Sequence, residues 1–194
     1  MNPQDRTTAI PALPNQGGQA NVPGIRKLWL IEARHLLGVI DPRTVPLGLE
    51  NGWTLRKNGL QLGEDAKIHV FSFPTDRGSY DQKASVTIQG VVYNQSLAMT
   101  VPNDHQLTAL VMQRMTGRQW VAIYQDGNGN QKVVGTAKQP LRFLANYQAS
   151  PSGYFFSWSC QTRQPAYFFS DFPLLDTLQL DAEFSYGFSY DFFS

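Results

Sequence analysis

The chain has 194 residues, 42% of them hydrophobic and 12% aromatic, enough for one domain with a buried core. Its 16 basic and 15 acidic residues leave a formal charge of +1, which excludes the basic footprint of a protein that grips nucleic acid through its phosphates. Cys160 is the single cysteine, so no intramolecular disulfide framework is possible, and no apolar run reaches the roughly eighteen residues a spanning helix needs. Charged residues make up only 16% of the chain, against about a quarter in typical domains. Such a composition suits a surface covered by neighbouring subunits, and it equally suits an aromatic-rich β core.

In chain order, residues 1–24 carry Pro3, Pro11, Pro14, Pro23 and the stretch Gln16-Gly17-Gly18-Gln19. This composition predicts a flexible arm rather than core, and the polar N-terminus shows no leader pattern. Residues 25–34 predict the first strand, and Asp41-Pro42, Pro46 and Gly48 then break the chain into a loop. A hairpin is expected across Trp53-Thr54-Leu55 and Leu60-Gln61-Leu62, turning at Lys57-Asn58-Gly59. Residues 67–73 alternate, with Ile68, Val70 and Ser72 on one face and His69, Phe71 and Phe73 on the other. Pro74 to Asp81 predicts a loop, and residues 84–93 and 96–101 predict two strands around Asn94-Gln95.

One helix is expected over about 103–116, capped by Asn103 or Asp104 and ended by Gly117. Its apolar stripe would be Leu107, Leu110, Val111 and Met115. Residues 120–136 then read as a hairpin: Val121, Ile123, Val133 and Val134 favour strands. Asp126, Gly127, Asn128, Gly129 and Asn130 supply a turn tolerant of positive φ. The tip of this hairpin is expected to project from the body. Strands over 141–147 and 154–160 follow, joined by Ser150-Pro151-Ser152-Gly153.

From Phe184 to Phe193 the chain is aromatic at nearly every other position, with Asp181, Glu183 and Asp191 interspersed. A free edge of this kind is adhesive, so it must be covered, by its own domain or by a partner to which it adds a strand. Phe184, Tyr186, Phe188, Tyr190, Phe192 and Phe193 are the candidate anchors of a subunit interface.

The chain offers no catalytic case. His35, His69 and His105 are widely separated, and none has metal-ligand spacing with Cys160 or a carboxylate. No phosphate loop or nucleophile elbow is present. Asp126 to Asn130 has alternating oxygens like the start of a calcium loop but lacks its closing glutamate. Glu64-Asp65 reads as a solvated turn, and Cys160 as a small buried thiol in an alternating strand. No catalytic, cofactor-binding or metal-binding residue is therefore assigned.

The run Trp120 to Thr136, then Pro140-Leu141-Arg142-Phe143, then Gln164-Pro165-Ala166-Tyr167-Phe168-Phe169, resembles small proteins encoded by tailed bacteriophages and prophages of Bacteroidetes, crAss-like phages included. The resemblance spans residues 118–172, under a third of the chain, and its motifs are specific as a combination rather than singly. It implies a non-enzymatic virion protein of the head–tail connector, neck ring or tail, assembled in the host cytoplasm. Copies of the chain would close into a sixfold or twelvefold ring beside other connector or tail proteins, with genomic DNA passing non-specifically through the lumen and no membrane involved.

The fold expected from the residues is mainly β, a sandwich or barrel-like domain with one short helix and extended N- and C-terminal arms. Residues 1–24 would form the N-terminal arm, 25–172 the β-rich domain and 173–194 the aromatic extension. The alternative function is a carbohydrate-binding host-recognition module, in which exposed Trp53, Trp120, Trp158 and tail tyrosines stack on sugar rings. Burial of those tryptophans would defeat it.

Overall fold

The computed structural model describes residues 22–40, 53–55, 59–72, 77–88, 90–102, 105–150 and 152–170. The strands in chain order are β1 (Ile25–Glu32), β2 (Leu36–Val39), β3 (Thr54–Leu55), β4 (Leu60–Leu62), β5 (Ile68–Ser72), β6 (Gly78–Thr87) and β7 (Gly90–Pro102). Helix α1 (Gln106–Met115) follows, then β8 (Gln119–Asp126), β9 (Gln131–Val134), β10 (Leu141–Ala149), β11 (Ser152–Thr162) and β12 (Tyr167–Phe169). The protein is mainly β, consistent with the sandwich or barrel-like domain expected, and α1 is the single α-helix among the described residues.

Two antiparallel strands buried on both faces, β1 and β8, organise the molecule. Leu28-Trp29-Leu30-Ile31 and Trp120-Val121-Ala122-Ile123-Tyr124 are unbroken buried runs, the pattern of strands covered on both sides. Leu28, Leu30, Trp120, Ala122 and Tyr124 face one core, which contains Met99, Phe156 and Trp158 and is closed by Val111 and Met115 of α1. Trp29, Ile31, Val121 and Ile123 face a second core with Leu55, Ile68, Val133 and Tyr167. Burying each of these large side chains contributes roughly 1.5–3 kcal/mol before entropy is counted.

The sheet forks at β8. One edge of β8 pairs along its length with β1, which in turn pairs with β5. The other edge is shared: β9 pairs with Ala122–Gln125, whereas β10 takes only Gln119 and Trp120. From β9 the sheet continues to β12 and β3; from β10 it continues through β11 and β7 to β6. Strands β2 and β4 form a separate two-stranded sheet.

Several local expectations are corrected. Trp53–Leu62 does not form a hairpin, because β3 pairs in parallel with β12 while β4 pairs with β2. Tertiary partners override the local turn signal there. Asn94-Gln95 lies inside β7, where Gln95, Leu97, Met99 and Val101 share the buried face at period two. The real turn follows Thr87, whose hydroxyl donates to the carbonyl of Gly90, and Gly90 takes a φ of +107. Strand β6 begins at Gly78, inside the segment expected as a loop, and the first strand stops at Glu32 before a 3-10 turn at Ala33–His35.

Helix α1 is shorter than expected. His105 caps it, its Nδ1 accepting the Leu107 N–H at 3.1 Å, while Asn103 and Asp104 lie outside the described residues. Its buried line is Thr108, Val111 and Met115, and Leu107 and Leu110 fall one sector over, half-exposed. Trp120 fixes that rotation by donating its indole N–H to the Met115 carbonyl. Gly117, at φ +79, ends the helix as expected.

Candidate functional site

The central hairpin turn is built by Asp126. Its Oδ1 accepts the N–H groups of Asn128 and Asn130 at 2.9 and 2.8 Å, and its Oδ2 accepts the Asn130 amide at 3.0 Å. This carboxylate is thus occupied by its own turn, the ordinary role of Asp at such a position. Gly129 sits at φ +88. Gly127 is buried against the incoming N-terminal segment: its N–H donates to the Gly24 carbonyl at 3.0 Å, and Val22 N–H donates to Asn128 Oδ1 at 2.8 Å. Of the five tip residues, Asn128, Gly129 and Asn130 are exposed, while the base is tied to residues 22–24.

A cleft of about 500 Å³ lies in the fork of the sheet. One wall is the loop by which the chain leaves the edge of β8 after Val134 and rejoins it at Leu141. Gly135 at φ +80 makes the departure, and Thr136 and Gln139 exchange backbone hydrogen bonds across it. The other wall is the crossing from β11 to β12, Arg163 to Ala166. Buried Gln95 holds that crossing, its Nε2 donating to Thr162 Oγ1 at 3.0 Å and to the Gln164 carbonyl at 3.1 Å. Gln82 Oε1 accepts the Ala166 N–H, Gln139 Oε1 accepts the Arg163 N–H, and the Tyr167 hydroxyl donates to Gln164. Side-chain amides therefore brace both walls.

Beyond Tyr167 the cleft continues into a second hollow of about 430 Å³ that adds Leu37 and Val39. Among the described residues no carboxylate lines either space, and both contain Lys138, with Arg163 in the first. Neither cation forms an ion pair among the described residues.

A third feature is the outer face of the four strands β10-β11-β7-β6. Their registers place Leu144, Ser157, Ala98 and Ser79 in one row and Arg142, Ser159, Ser96 and Asp81 in the next. This face carries mostly neutral side chains, with Leu144 and Phe155 exposed among them and Arg142, Asp81 and Lys83 charged, while the opposite face holds the first core. Among the described residues, β6 pairs only with β7, and β10 beyond Arg142 pairs only with β11. Both long edges of this half-sheet are therefore unpaired among the described residues.

Phe184, Tyr186, Phe188, Tyr190, Phe192 and Phe193 lie outside the described residues. Trp120 and Trp158 are 2% and 0% exposed, so neither can stack on a sugar ring; Trp53 packs edge-on against Tyr167. His35, His69 and His105 sit on three different elements, and no group of three or more His, Cys, Asp and Glu among the described residues is placed to hold a metal. Cys160 is half-buried, and burial pushes its thiol up to about 11. Sequence reasoning missed the amide network because Gln95 was assigned to a turn. The period-two pattern it shares with Leu97, Met99 and Val101 was the available signal. No protein-family model, curated protein or solved structure matches the chain.

Proposed function

We propose that this chain is a non-enzymatic structural subunit of a tailed-bacteriophage virion, closing with copies of itself into a ring at the connector, neck or tail through which the genome passes. The observation that carries this reading is the half-sheet β10-β11-β7-β6, whose two edges are unpaired among the described residues. It contains an even number of antiparallel strands, so β6 and β10 run in opposite directions. Copies related by a rotation axis meet β6 to β10 in antiparallel sense at every junction, a heterologous contact that closes without leftover edges. Ser79 of β6 is level with Leu144 of β10 through Ala98 and Ser157, and the free lengths of the two edges extend in opposite directions from that row. Pairing them over their length requires tilted strands, as closed barrels have.

The outer face also suits a conduit. Ser79, Ser96, Ala98, Ser157 and Ser159 line it beside the isolated cations Arg142 and Lys83, the latter paired with Asp81, rather than the continuous lysine and arginine rows that would hold phosphates by counterion release. Partial resemblance to phage-encoded proteins over residues 118–172 supports the same assignment. Native mass measurement and electron microscopy of the full chain test it: a discrete closed multimer is expected, and a monomer that persists at high concentration overturns it.

A further inference from the structure

We infer that the cleft in the fork of the sheet receives the acidic, aromatic C-terminal segment, residues 171–194, of a neighbouring copy; this rests on the ring reading above. Charge is the first support. The segment holds Asp171, Asp176, Asp181, Glu183 and Asp191, and the chain has no lysine or arginine after Arg163. The cleft is its complement: among the described residues, Lys138 and Arg163 at its rim are not ion-paired and no carboxylate is in its lining.

Pattern is the second. On an extended backbone, even-numbered Phe184, Tyr186, Phe188, Tyr190 and Phe192 fall on one face, and odd-numbered Asp181, Glu183 and Asp191 fall on the other, with serines and glycine between. Such a segment can offer carboxylates to Lys138 and Arg163 and rings to the Leu37, Val39 and Tyr167 side of the hollow. Leu37 is 71% exposed, an apolar side chain without cover.

The ring reading supplies a neighbour, and the length of the segment lets it reach one. Strand β12 starts at the cleft with Tyr167 and runs out beside β3, where the Ser170 N–H donates to the Leu55 carbonyl at 2.9 Å. The 24 residues after Ser170 can span up to about 80 Å when extended, long enough to reach a second subunit.

The test uses the full chain. In a Cys160→Ser background, Lys138→Cys and Glu183→Cys are combined and oxidised. Cross-links between chains, running as a ladder on a denaturing gel, are expected, and exclusively intrachain linkage overturns the inference. Separately, Lys138→Glu with Arg163→Glu should weaken self-association at least tenfold while circular dichroism and thermal unfolding stay unchanged, and adding Asp181→Lys with Glu183→Lys should restore it. Unaltered assembly of the double cleft variant overturns the inference. A wild-type chain that assembles without the cross-link defeats this inference alone, whereas a wild-type chain that never assembles defeats the ring reading and this with it.

Discussion

Asp126 shows how one residue type at one position sets a local structure. Its carboxylate gathers two backbone N–H groups and one side-chain amide of its own turn, and the next residue, Gly127, is pressed against Val22. Asp126→Ala should cost about 0.5–1.5 kcal/mol in urea unfolding, since an exposed turn loses the acceptor that gathers it. Gly127→Ala would place a Cβ 2.4 Å from the Val22 carbonyl oxygen, which is backbone and cannot swing away. It should detach residues 22–24 from the tip and make proteolysis after that segment faster; unchanged proteolysis would contradict the packing. The titrating residues make a second prediction. Burial holds the Cys160 thiol near 11 and raises the phenols of Tyr80 and Tyr124 far above their ordinary range, with Cys160 and Asp81 adding to the rise at Tyr80, and Tyr80 and Asp126 adding to it at Tyr124. Each group is neutral when protonated and its folded pKa lies above its unfolded one. Stability is therefore full below the ordinary thiol value of 9.0 and falls as pH rises through it and through the phenol value of 10.0, because only the unfolded chain ionises there. The melting temperature should hold level from pH 7 to 8.5 and drop steadily above pH 9; a flat profile to pH 11 would refute the burial of these groups.

At the level of elements, the hairpins succeed where side-chain alternation and tertiary pairing agree. Strands β10 and β11 pair from Arg142 with Ser159 to Ala149 with Ser152, and their inner faces stack Phe143, Phe156 and Trp158 at ring separations of 5.2 to 6.2 Å. Phe156 is 1% exposed and central to that cluster. Phe156→Ala should cost about 3–5 kcal/mol, measured by urea or thermal unfolding, the sum of lost burial and an unfilled cavity. The segment from Trp53 to Leu62 is the opposite case. Its turn residues and short apolar runs match a hairpin locally, yet β3 is taken up by β12 and β4 by β2. Strands of two and three residues gain too little from pairing with each other to compete with an existing edge.

For the whole molecule, the open edges make the sharpest prediction. Natural sheets block edge pairing with lysine, so Asn146→Lys with Gln148→Lys on exposed positions of β10 should prevent closure of the proposed ring. Because both sites face solvent, unfolding free energy should change by less than about 0.5 kcal/mol. Sedimentation of the variant beside the unaltered chain checks this: monomers are expected from the variant, and equal assembly of the two would mean that β10 is not the joint.

How much of this was legible before the fold was known differs by feature. Composition and alternation determined a mainly β domain with one helix, its hairpin at Asp126 to Asn130 and its helix stop at Gly117, because these depend on local backbone preference and on a period of two or 3.6. The continuous apolar runs of β1 and β8 likewise carried the signature of strands covered on both faces. Only the tertiary structure decided that the sheet forks at β8, that Gln95, Gln139 and Gln164 meet to frame a cleft, and that among the described residues β6 and β10 keep unpaired edges. Those features join residues many tens of positions apart. Which strand wins a contested edge depends on the combined burial of all its competitors, a quantity no local window of sequence contains.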